Sequence, residues 1–422
     1  MNLDWRRLKA VVIESDDWGL CAWSPDELAF RVLTDLPAFR TESGRRYAGS
    51  TLESAEDVRL LAESLLEFRG GDGFPPVWQA NTVVASPDYA RLVPPLFEVE
   101  SLPLIDLPGT PTRWHRPGLW DRVGRACAAG LWWPELHGLH HIPEQAWLKA
   151  LRRGVPDARR AHEQQSPVCQ AVDASGEYDP SEPRDVRERN VALAVEKFTT
   201  LFGRPPHSLC PPDYRWNEDL EEDALRLGVT TLQGRAEQMG RRFPRLRRLL
   251  LRYRWPVPPG RLFELPPRTA FEPHVVPGAA ARLIESTMRR AREAWNRGQP
   301  AILSSHRANY AHLEPTRAAS SRAALRDLLK RLVDVGAVFL VDAEVRDLQE
   351  RSWSVRLVGD RGALVRYYGV PHAAVRFPAP AGVQQVSIRE ERGPGASEAW
   401  LEGGDVVAEL NVGEYLLEWG RS

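Results

Sequence analysis

Short apolar runs alternate along the chain with longer stretches in which apolar residues recur every three or four positions. The runs are typical of buried strands, and the periodic stretches are typical of amphipathic helices. The two alternate up to about residue 345, which predicts a parallel α/β fold, either an open sheet or a barrel. The predicted strands cover residues 11–13, 76–85, 131–136, 208–210, 229–233, 262–265, 301–305 and 337–341. The predicted helices cover residues 54–68, 117–129, 143–153, 184–202, 218–227, 278–295 and 319–335, and residues 165–182 form a polar surface loop.

The pattern changes near Ser352. Residues 353–420 read as short alternating strands separated by glycine-containing turns, which predicts a small antiparallel, sandwich-like β domain. We therefore divide the chain into a main domain, residues 1–350, and an accessory domain, residues 351–422. The second is either a carbohydrate-binding or docking module, or a lid that covers one end of the first.

Composition narrows the class of protein. The 422 residues are 43% hydrophobic and 27% charged, with a formal net charge of −1, so no overall field favours a nucleic-acid partner. The four cysteines form no C-x-x-C pair and are expected to be reduced thiols. The chain begins without a typical signal peptide, and no run approaches the roughly 18 apolar residues of a membrane span. We expect a cytoplasmic protein.

The first candidate for chemistry is the sequence VVIESDDWG at residues 11–19. A buried strand ends there in two adjacent carboxylates, Asp16 and Asp17. Neighbouring acids repel each other and lose hydration, and a bound metal ion is the simplest way to offset both costs. The alternative is an Asp-rich turn whose side chains bond nearby backbone N–H groups.

Two further predicted strands also end in groups capable of catalysis. His137 and His141 are four residues apart, so a helical turn would place both imidazoles on one metal ion. Together with an aspartate they would leave coordination positions open, as in catalytic sites, although histidine clusters without function also occur. His306 ends the strand at 301–305. Parallel strand ends gather on one face of a barrel, which favours a common site.

These motifs, taken together, resemble those of the polysaccharide deacetylase superfamily, which shares the NodB-homology domain. Asp16-Asp17 resembles its paired aspartates, His137 to His141 its His-x-x-x-His motif, and Leu209 to Tyr214 lies where its proline-rich third motif would. Ile302 to His306 resembles its last motif, and the match covers roughly residues 8 to 345. The resemblance implies a distorted (β/α)7 barrel of the glycoside hydrolase/deacetylase type, followed here by the small β domain.

The resemblance is closer to an uncharacterised bacterial branch, often met in glycan synthesis, whose members carry ESDDWG, CPP, FEP and SSHRxNY segments. It implies a metal-dependent hydrolase that removes an N-acetyl group from a sugar or from a lipid-linked or nucleotide-linked saccharide precursor. The implied metal ligands are Asp17, His137 and His141, holding Zn²⁺ or another divalent ion such as Co²⁺ or Ni²⁺. The implied base is Asp16 and the implied acid is His306, while the metal and a backbone N–H near Tyr214 hold the oxyanion. The implied substrate contacts are Trp18, Pro212, Asp213, Tyr214, Arg307 and Asn309.

The sequence departs from the family in two places. Cys210 occupies the position of an arginine that pairs with the catalytic aspartate, and Arg307 is the candidate to supply the missing charge. The family's fourth motif, which orients the last histidine, is not evident, and Gln233, Arg235 or Glu237 could stand in for it. Two other functions therefore stay open: a non-catalytic glycan-binding protein on this fold, and an amidohydrolase that acts on another small amide.

One further segment, residues 241–255, is basic and amphipathic, with Leu246, Leu249, Leu250 and Tyr253 on one stripe. It either contacts an anionic lipid or packs its leucines inward and leaves its arginines in water.

Overall fold

The computed structural model describes residues 3–170, 176–234, 244–256, 262–274, 279–359, 362–393 and 397–421. Within them the strands are β1 (Ala10–Trp18), β2 (Trp78–Thr82), β3 (Ala85–Pro87), β4 (Leu104–Asp106), β5 (Trp132–Leu136), β6 (Ser208–Leu209), β7 (Thr231–Leu232), β8 (Phe263–Glu264), β9 (Thr269–Ala270), β10 (Ala301–His306), β11 (Val338–Leu340), β12 (Trp353–Val358), β13 (Gly362–Tyr367), β14 (Ala373–Pro378), β15 (Val383–Arg392), β16 (Glu398–Glu402), β17 (Asp405–Leu410) and β18 (Gly413–Arg421).

The helices are α1 (Trp5–Leu8), α2 (Glu27–Leu33), α3 (Pro37–Arg40), α4 (Glu42–Tyr47), α5 (Ala55–Leu66), α6 (Leu119–Ala128), α7 (Glu144–Arg152), α8 (Pro156–Glu163), α9 (Arg184–Phe202), α10 (Glu221–Arg226), α11 (Pro244–Tyr253), α12 (Ala280–Asn296), α13 (Pro315–Asp334) and α14 (Asp342–Arg351). Short 3₁₀ turns cover Thr112–Trp114, Pro212–Tyr214, Glu218–Leu220 and Arg307–Asn309.

A curled parallel sheet of nine strands organises the described part of the main domain. Its order is β8-β7-β6-β5-β2-β1-β10-β9, and β11 pairs with the first half of β1. All of its ladders are parallel, so the carboxyl ends of the strands gather at one edge of the sheet. The α/β fold and the distorted barrel predicted from the sequence are confirmed, with two-residue strands such as β9 added to those predicted.

The central strand, β1, has two differently filled faces. Val11 and Ile13 pack against the outer helices, in a core that also holds Val58 and Leu328. Because side chains alternate along a strand, Ala10, Val12, Glu14 and Asp16 share the other face. That face is apolar at the start of β1, where Ala10 and Val12 join a second core, and acidic at its end. The side chains on this face of β1 therefore change from apolar to acidic toward its carboxyl end, where the candidate site residues lie.

Helix α5 illustrates how local sequence fixes the outer layer. Ser54 and Asp57 form a capping box, in which the Asp57 N–H donates to Ser54 Oγ at 3.1 Å and the Ser54 N–H donates to Asp57 Oδ2 at 2.9 Å. Val58, Leu61 and Leu65 follow at helical spacing and are fully buried. The helix predicted over 54–68 is therefore present.

The accessory region is a sandwich of two antiparallel sheets, β12-β13-β18-β15 and β14-β17-β16. Its core joins the two sheets through residues such as Val365 and Leu417 on one side and Val406 on the other. The change of architecture falls at Ser352, between α14 and β12. The small antiparallel region predicted from the sequence is confirmed, while a separate role for residues 351–422 stays a prediction.

The sandwich contacts segments that lead into the strands of the barrel. Gly130, just before β5, lies against Val358, and the Asp72 carboxylate, before β2, accepts a hydrogen bond from Arg366 Nη2 at 2.7 Å. The sandwich therefore covers the amino ends of the strands, opposite the edge where the predicted site residues lie. This position fits the lid interpretation.

Two further sequence expectations concern the cysteines and the location of the protein. The four cysteines are all among the described residues and are present as thiols, as expected. None of the described helices has the length and apolar character needed to cross a bilayer. The cytoplasmic location stays a prediction.

Arg366 is the most deeply buried link between the two regions. Its side chain is 0% exposed and lies between Asp72 and Glu344, which are each 1% exposed. We predict that Arg366→Ala lowers the free energy of unfolding by about 3–5 kcal/mol, because it leaves the buried Asp72 without its counter-charge and leaves Glu344 with only Arg356, at 3.5 Å. Denaturant unfolding measures the loss.

The matched control is Arg376→Ala. Arg376 is also a strand arginine with two acidic partners, Glu402 and Asp405, but its side chain is 51% exposed. Its loss should cost less than about 1 kcal/mol. Equal losses in the two variants would contradict the role given to Arg366.

Candidate active site

Asp16 and Asp17 both open onto one cavity because β1 is irregular where it ends. In a regular strand, consecutive side chains point to opposite faces. The pairing of β1 with β2 shifts its register between Ser15 and Trp18, and Asp17 has a φ of 74°, in the left-handed region that aspartate tolerates better than most residues. This bulge brings the two adjacent carboxylates to the same site.

The loop that follows β5 carries His137 and His141 without forming a helix. Gly138 has a φ of 82° and His141 a φ of 65°, and these two left-handed residues, rather than the helical turn expected from the sequence, fold the histidines toward each other. The backbone N–H groups of Leu139 and His140 donate to the Glu177 carboxylate, at 2.6 and 3.2 Å. Glu177 thus anchors the loop.

Glu177 also corrects the expectation that residues 165–182 are a surface loop. Glu177 and Tyr178 are both 0% exposed. The Glu177 carboxylate accepts hydrogen bonds from two N–H groups of the histidine loop that would otherwise be buried without a partner. These bonds hold the segment inward.

Asp17, His137 and His141 provide three converging donor atoms. Asp17 Oδ1 lies 3.3 Å from His137 Nε2 and 3.7 Å from His141 Nε2. His137 Nδ1 lies 2.7 Å from the Cys210 carbonyl oxygen, to which it can only donate, so the lone pair is left on Nε2. One carboxylate and two imidazoles suit Zn²⁺, Co²⁺ or Ni²⁺. These residues therefore fit the divalent ion that the sequence predicted.

A second grouping, Asp16, His137 and Cys210, also brings potential ligands together. It is a poor cation site because the guanidinium of Arg268 already occupies it. Arg268 Nη1 lies 2.7 Å from Asp16 Oδ2 and 3.4 Å from Cys210 Sγ. A fixed positive charge at that distance repels a metal ion.

Arg268 is the residue that pairs with Asp16. Its Nη1 and Nη2 donate to the two Asp16 oxygens at 2.7 and 2.9 Å, a bidentate pair, and its Nε donates to Glu14. Asn81 Nδ2 adds a bond to Asp16 Oδ1 at 2.6 Å. Burial alone would raise the pKa of Asp16, but the charge and hydrogen bonds of Arg268, together with the charges of His137 and His306, outweigh it and hold that pKa well below its usual range. Asp16 is therefore ionised.

The expectation that Arg307 compensates for Cys210 is wrong. Arg307 is fully buried away from Asp16, where its Nη1 donates to the Leu20 carbonyl and lies 3.5 Å from Glu53 Oε2. Arg268 takes the role instead, from a different point in the chain.

Glu272 orients His306. Glu272 Oε1 lies 2.7 Å from His306 Nδ1, and Glu272 Oε2 accepts from Asn309 Nδ2 at 2.7 Å. Burial alone would lower the pKa of His306. The charge of Glu272 and its hydrogen bond to His306 act in the opposite direction, and they raise this pKa to about 9. His306 Nε2 then lies 3.8 Å from Asp16 Oδ2, because Asp16 and His306 are direct register partners of β1 and β10.

Gln233, proposed from the sequence to orient His306, has other contacts. Its Nε2 donates to Asn81 Oδ1 at 3.0 Å and to Ser208 Oγ at 2.5 Å, so it supports the Asp16 side of the site. Arg235 and Glu237, the other two candidates, lie outside the described residues.

The cavity has a volume of about 490 Å³. Asp16, Asp17, His137, His141 and His306 lie in its wall, and Trp23, Tyr47 and Trp147 give it aromatic surfaces. Tyr47 stacks on Trp23 with 5.5 Å between ring centroids and meets His306 edge-on at 5.9 Å. The site therefore combines charged groups with flat apolar faces.

The predicted substrate contacts divide into two groups. Asp213 and Tyr214 line the cavity. Trp18 is in the core against Trp132, while Pro212, Arg307 and Asn309 are buried behind the wall. The Tyr214 N–H, close to the expected oxyanion donor, is already bonded to the Pro211 carbonyl oxygen at 2.9 Å, so it is not available for that role in this conformation.

Arg268 and Glu272 were missed for different reasons. Arg268 precedes the two-residue strand β9, which is too short to show any periodicity. Glu272 lies in the FEP segment that supports the family resemblance, and that segment was the available signal. Trp23 and Tyr47 come from irregular or short elements and had no distinguishing pattern.

Several solved structures are similar to this chain. A polysaccharide deacetylase candidate from Mycobacterium smegmatis has a TM-score of 0.35 and 14% identity, covering 81% of this chain and 90% of its own. A CE4-family pseudoenzyme from Bacillus anthracis has a TM-score of 0.36 and 10% identity, covering 81% and 66%. The carbohydrate deacetylase Agd3 has a TM-score of 0.42 and 10% identity, covering 97% and 65%.

A polysaccharide deacetylase candidate and a carbohydrate deacetylase are thus among the structures similar to this chain. The chain spans just under two thirds of the length of the second and third of these structures. No protein-family model and no curated protein matches the chain. At this level of similarity the function has to come from the geometry of the site.

A substitution at Gly138 tests whether the geometry of the loop positions the candidate metal ligands His137 and His141. A Cβ added there would lie 1.8 Å from Glu177 Oε1, at a φ of 82°. We predict that Gly138→Ala displaces the Glu177 anchor, weakens zinc binding at least tenfold and lowers the free energy of unfolding by about 1–3 kcal/mol. Titration calorimetry with zinc and denaturant unfolding measure the two effects.

Gly203→Ala is the control, since Gly203 has a φ of 69° but open space around the added Cβ. It should cost only about 1 kcal/mol of backbone strain and leave zinc binding intact. Equal zinc affinity in Gly138→Ala and Gly203→Ala would refute the role of the loop.

Proposed function

We propose that the protein is a metal-dependent hydrolase of a non-peptide C–N bond, which removes the N-acetyl group of a sugar or saccharide precursor. One observation carries the proposal. Three converging metal-ligand atoms, an ionised carboxylate and a protonated imidazole all open onto one cavity. Hydrolysis of an amide needs these parts: an electrophile, a base and an acid.

Asp17, His137 and His141 hold the divalent ion. The ion, when bound, polarises the acyl carbonyl and lowers the pKa of a water molecule. His137 keeps its Nε2 directed at the site because Nδ1 donates to the Cys210 carbonyl oxygen.

Asp16 accepts the proton of the attacking water. Arg268 and Asn81 keep its carboxylate ionised and fix its orientation, so its rotation is restricted before substrate enters. Because its pKa is held low, Asp16 stays ionised at neutral pH and is a weak base.

His306 donates a proton to the leaving amine. Its pKa of about 9 keeps it protonated at neutral pH. Without this donation the nitrogen would leave as an anion, which is a poor leaving group.

The aromatic faces of Trp23 and Tyr47 beside His306 are suited to the C–H surface of a sugar ring. This feature favours a saccharide over another small amide, the substrate of the alternative amidohydrolase. The pairing of Arg268 with Asp16 supports catalysis over a non-catalytic glycan-binding role, which the missing arginine had favoured. A lipid-linked or nucleotide-linked substrate is the form we would screen first.

Metal content and acetate release test the function together. Purified protein should contain about one divalent ion per chain, and Asp17→Ala and His137→Ala should lose it. Asp16→Asn should keep the ion and lose about 10²–10⁴-fold in the rate of acetate release from N-acetylated sugars. Elemental analysis and an acetate assay give the two readouts.

The retained ion in Asp16→Asn serves as its own control for folding. A metal-free protein after reconstitution with zinc, cobalt or nickel would refute the proposal and favour the glycan-binding alternative. Full activity of Asp16→Asn would show that another group is the base.

The pH dependence tests the acid. His306 must be protonated to donate, so activity should fall as the pH rises through its pKa. Glu272→Gln removes the charge that raises this pKa, so the alkaline limb of the kcat profile should move to lower pH by about one unit or more. Kinetics from about pH 6 to 11 measure the limb.

Glu314→Gln, an exposed glutamate on the loop after β10, is the control and should leave the limb unchanged. An unshifted limb in Glu272→Gln would mean that His306 is not the group that titrates.

A further inference from the structure

Helix α11, Pro244–Tyr253, carries large apolar residues on two faces. Leu251 and the following Trp255 are 3% and 8% exposed and pack into the core beside Trp5. Leu246, Leu249 and Tyr253 are 56%, 54% and 61% exposed. One alternative from the sequence was that the leucines of this stripe pack inward. Instead, Leu251 and Trp255 pack inward, and the stripe of Leu246, Leu249 and Tyr253 faces solvent.

The exposed stripe has arginines on both sides. At 3.6 residues per turn, Leu246, Leu249 and Tyr253 fall within roughly 60° of one another around the helix axis. Arg245 and Arg252 lie on one side of the stripe. Arg247 and Arg254 lie on the other, since the Arg254 N–H still donates to the Leu250 carbonyl oxygen. An apolar stripe bordered by long cationic side chains is the pattern of a helix that lies in a membrane interface.

The charge around α11 is mostly positive. The helix has four arginines and no acidic residue. Arg247 is paired with Glu264, whereas Arg297, after α12, adds a further cation close to Arg252. Burial and then repulsion by Arg252 lower the pKa of Arg297. Glu293, which lies near Arg297, offsets part of this charge and also interacts with Arg289 at 3.9 Å.

We infer that α11 docks the protein on an anionic membrane surface. Leu246, Leu249 and Tyr253 enter the boundary between head groups and acyl chains, and Arg245, Arg252 and Arg254 contact lipid phosphates. With ten residues, α11 is about 15 Å long, too short to span a bilayer, so the contact that we infer is peripheral. The inference goes beyond the proposed hydrolase activity and does not depend on it.

A second copy of the chain fits this surface less well. A two-fold symmetric contact through the stripe would place the arginines of one copy opposite those of the other. Like charges across an interface oppose association, whereas an anionic lipid surface neutralises them.

Vesicle co-sedimentation tests the docking surface. The full-length protein should bind phosphatidylglycerol/phosphatidylcholine vesicles and should bind pure phosphatidylcholine at least tenfold more weakly, with binding reduced between about 0.1 and 1 M salt. The double variant Leu246→Glu, Leu249→Glu should lose roughly tenfold or more in vesicle affinity. Arg245→Glu, Arg252→Glu should do the same.

The matched control is Leu28→Glu, Leu66→Glu, which changes two leucines that are 70% and 48% exposed elsewhere on the surface. It should bind vesicles like the unchanged protein. Thermal unfolding reports on folding, and the unfolding temperature should not change in any of these variants.

Three outcomes would overturn the inference. The protein could fail to bind anionic vesicles, or the control pair could reduce binding as much as the α11 pair. Sedimentation could also reveal a dimer that the α11 variants dissociate without any effect on vesicle binding, which would assign the stripe to a second copy.

Discussion

The guanidinium of Arg268 is the group on which the rest of the site depends. It joins Glu14 and Asp16, two successive inward positions of β1, and also donates to Tyr214 Oη at 3.2 Å and Gln233 Oε1 at 3.3 Å. Arg268 directly precedes β9, which is at one end of the sheet, and Gln233 follows β7 near the other end. Arg268 therefore bridges the open side of the curled sheet through its interior. Without this charge, the buried Glu14 would lose its cationic partner and Asp16 would keep the more distant His306, at a cost of about 3–5 kcal/mol.

Arg268 acts unequally on its two partners. Burial raises the pKa of Glu14, which lies deeper and adjoins the buried Asp342, whose pKa is raised as well. Asp16 is closer to the cavity, and its pKa is the one that Arg268 brings below the usual range. The same cation thus holds Glu14 in the interior and keeps Asp16 ionised, which places the negative charge at the cavity.

The sequence was informative wherever a regular element ended in a reactive side chain. The runs before Asp16 and His306 are buried strands, and parallel pairing alone then brings those two residues side by side. The sequence did not predict the features of the site that depend on the backbone angle or the hydrogen bond of a single residue. The bulge at Asp17, the left-handed His141 and the inward Glu177 leave no periodic pattern, because each depends on one hydrogen bond or one backbone angle. Arg268 and Glu272 act through contacts between residues distant in sequence, which hydrophobic periodicity does not encode.

The different protonation states of Asp16 and His306 follow from their hydrogen-bond partners, Arg268 and Glu272. The two residues are register neighbours with 3.8 Å between Asp16 Oδ2 and His306 Nε2, so their shared surroundings do not decide which one holds a proton. Arg268 favours the ionised carboxylate, and Glu272 favours the charged imidazole. Each resulting charge also stabilises the other, so the two preferences reinforce each other. Because both partners come from residues 268–272, one short segment beside β9 influences the protonation of both groups, and a displacement of that segment would disturb the ionised Asp16 and the protonated His306 together.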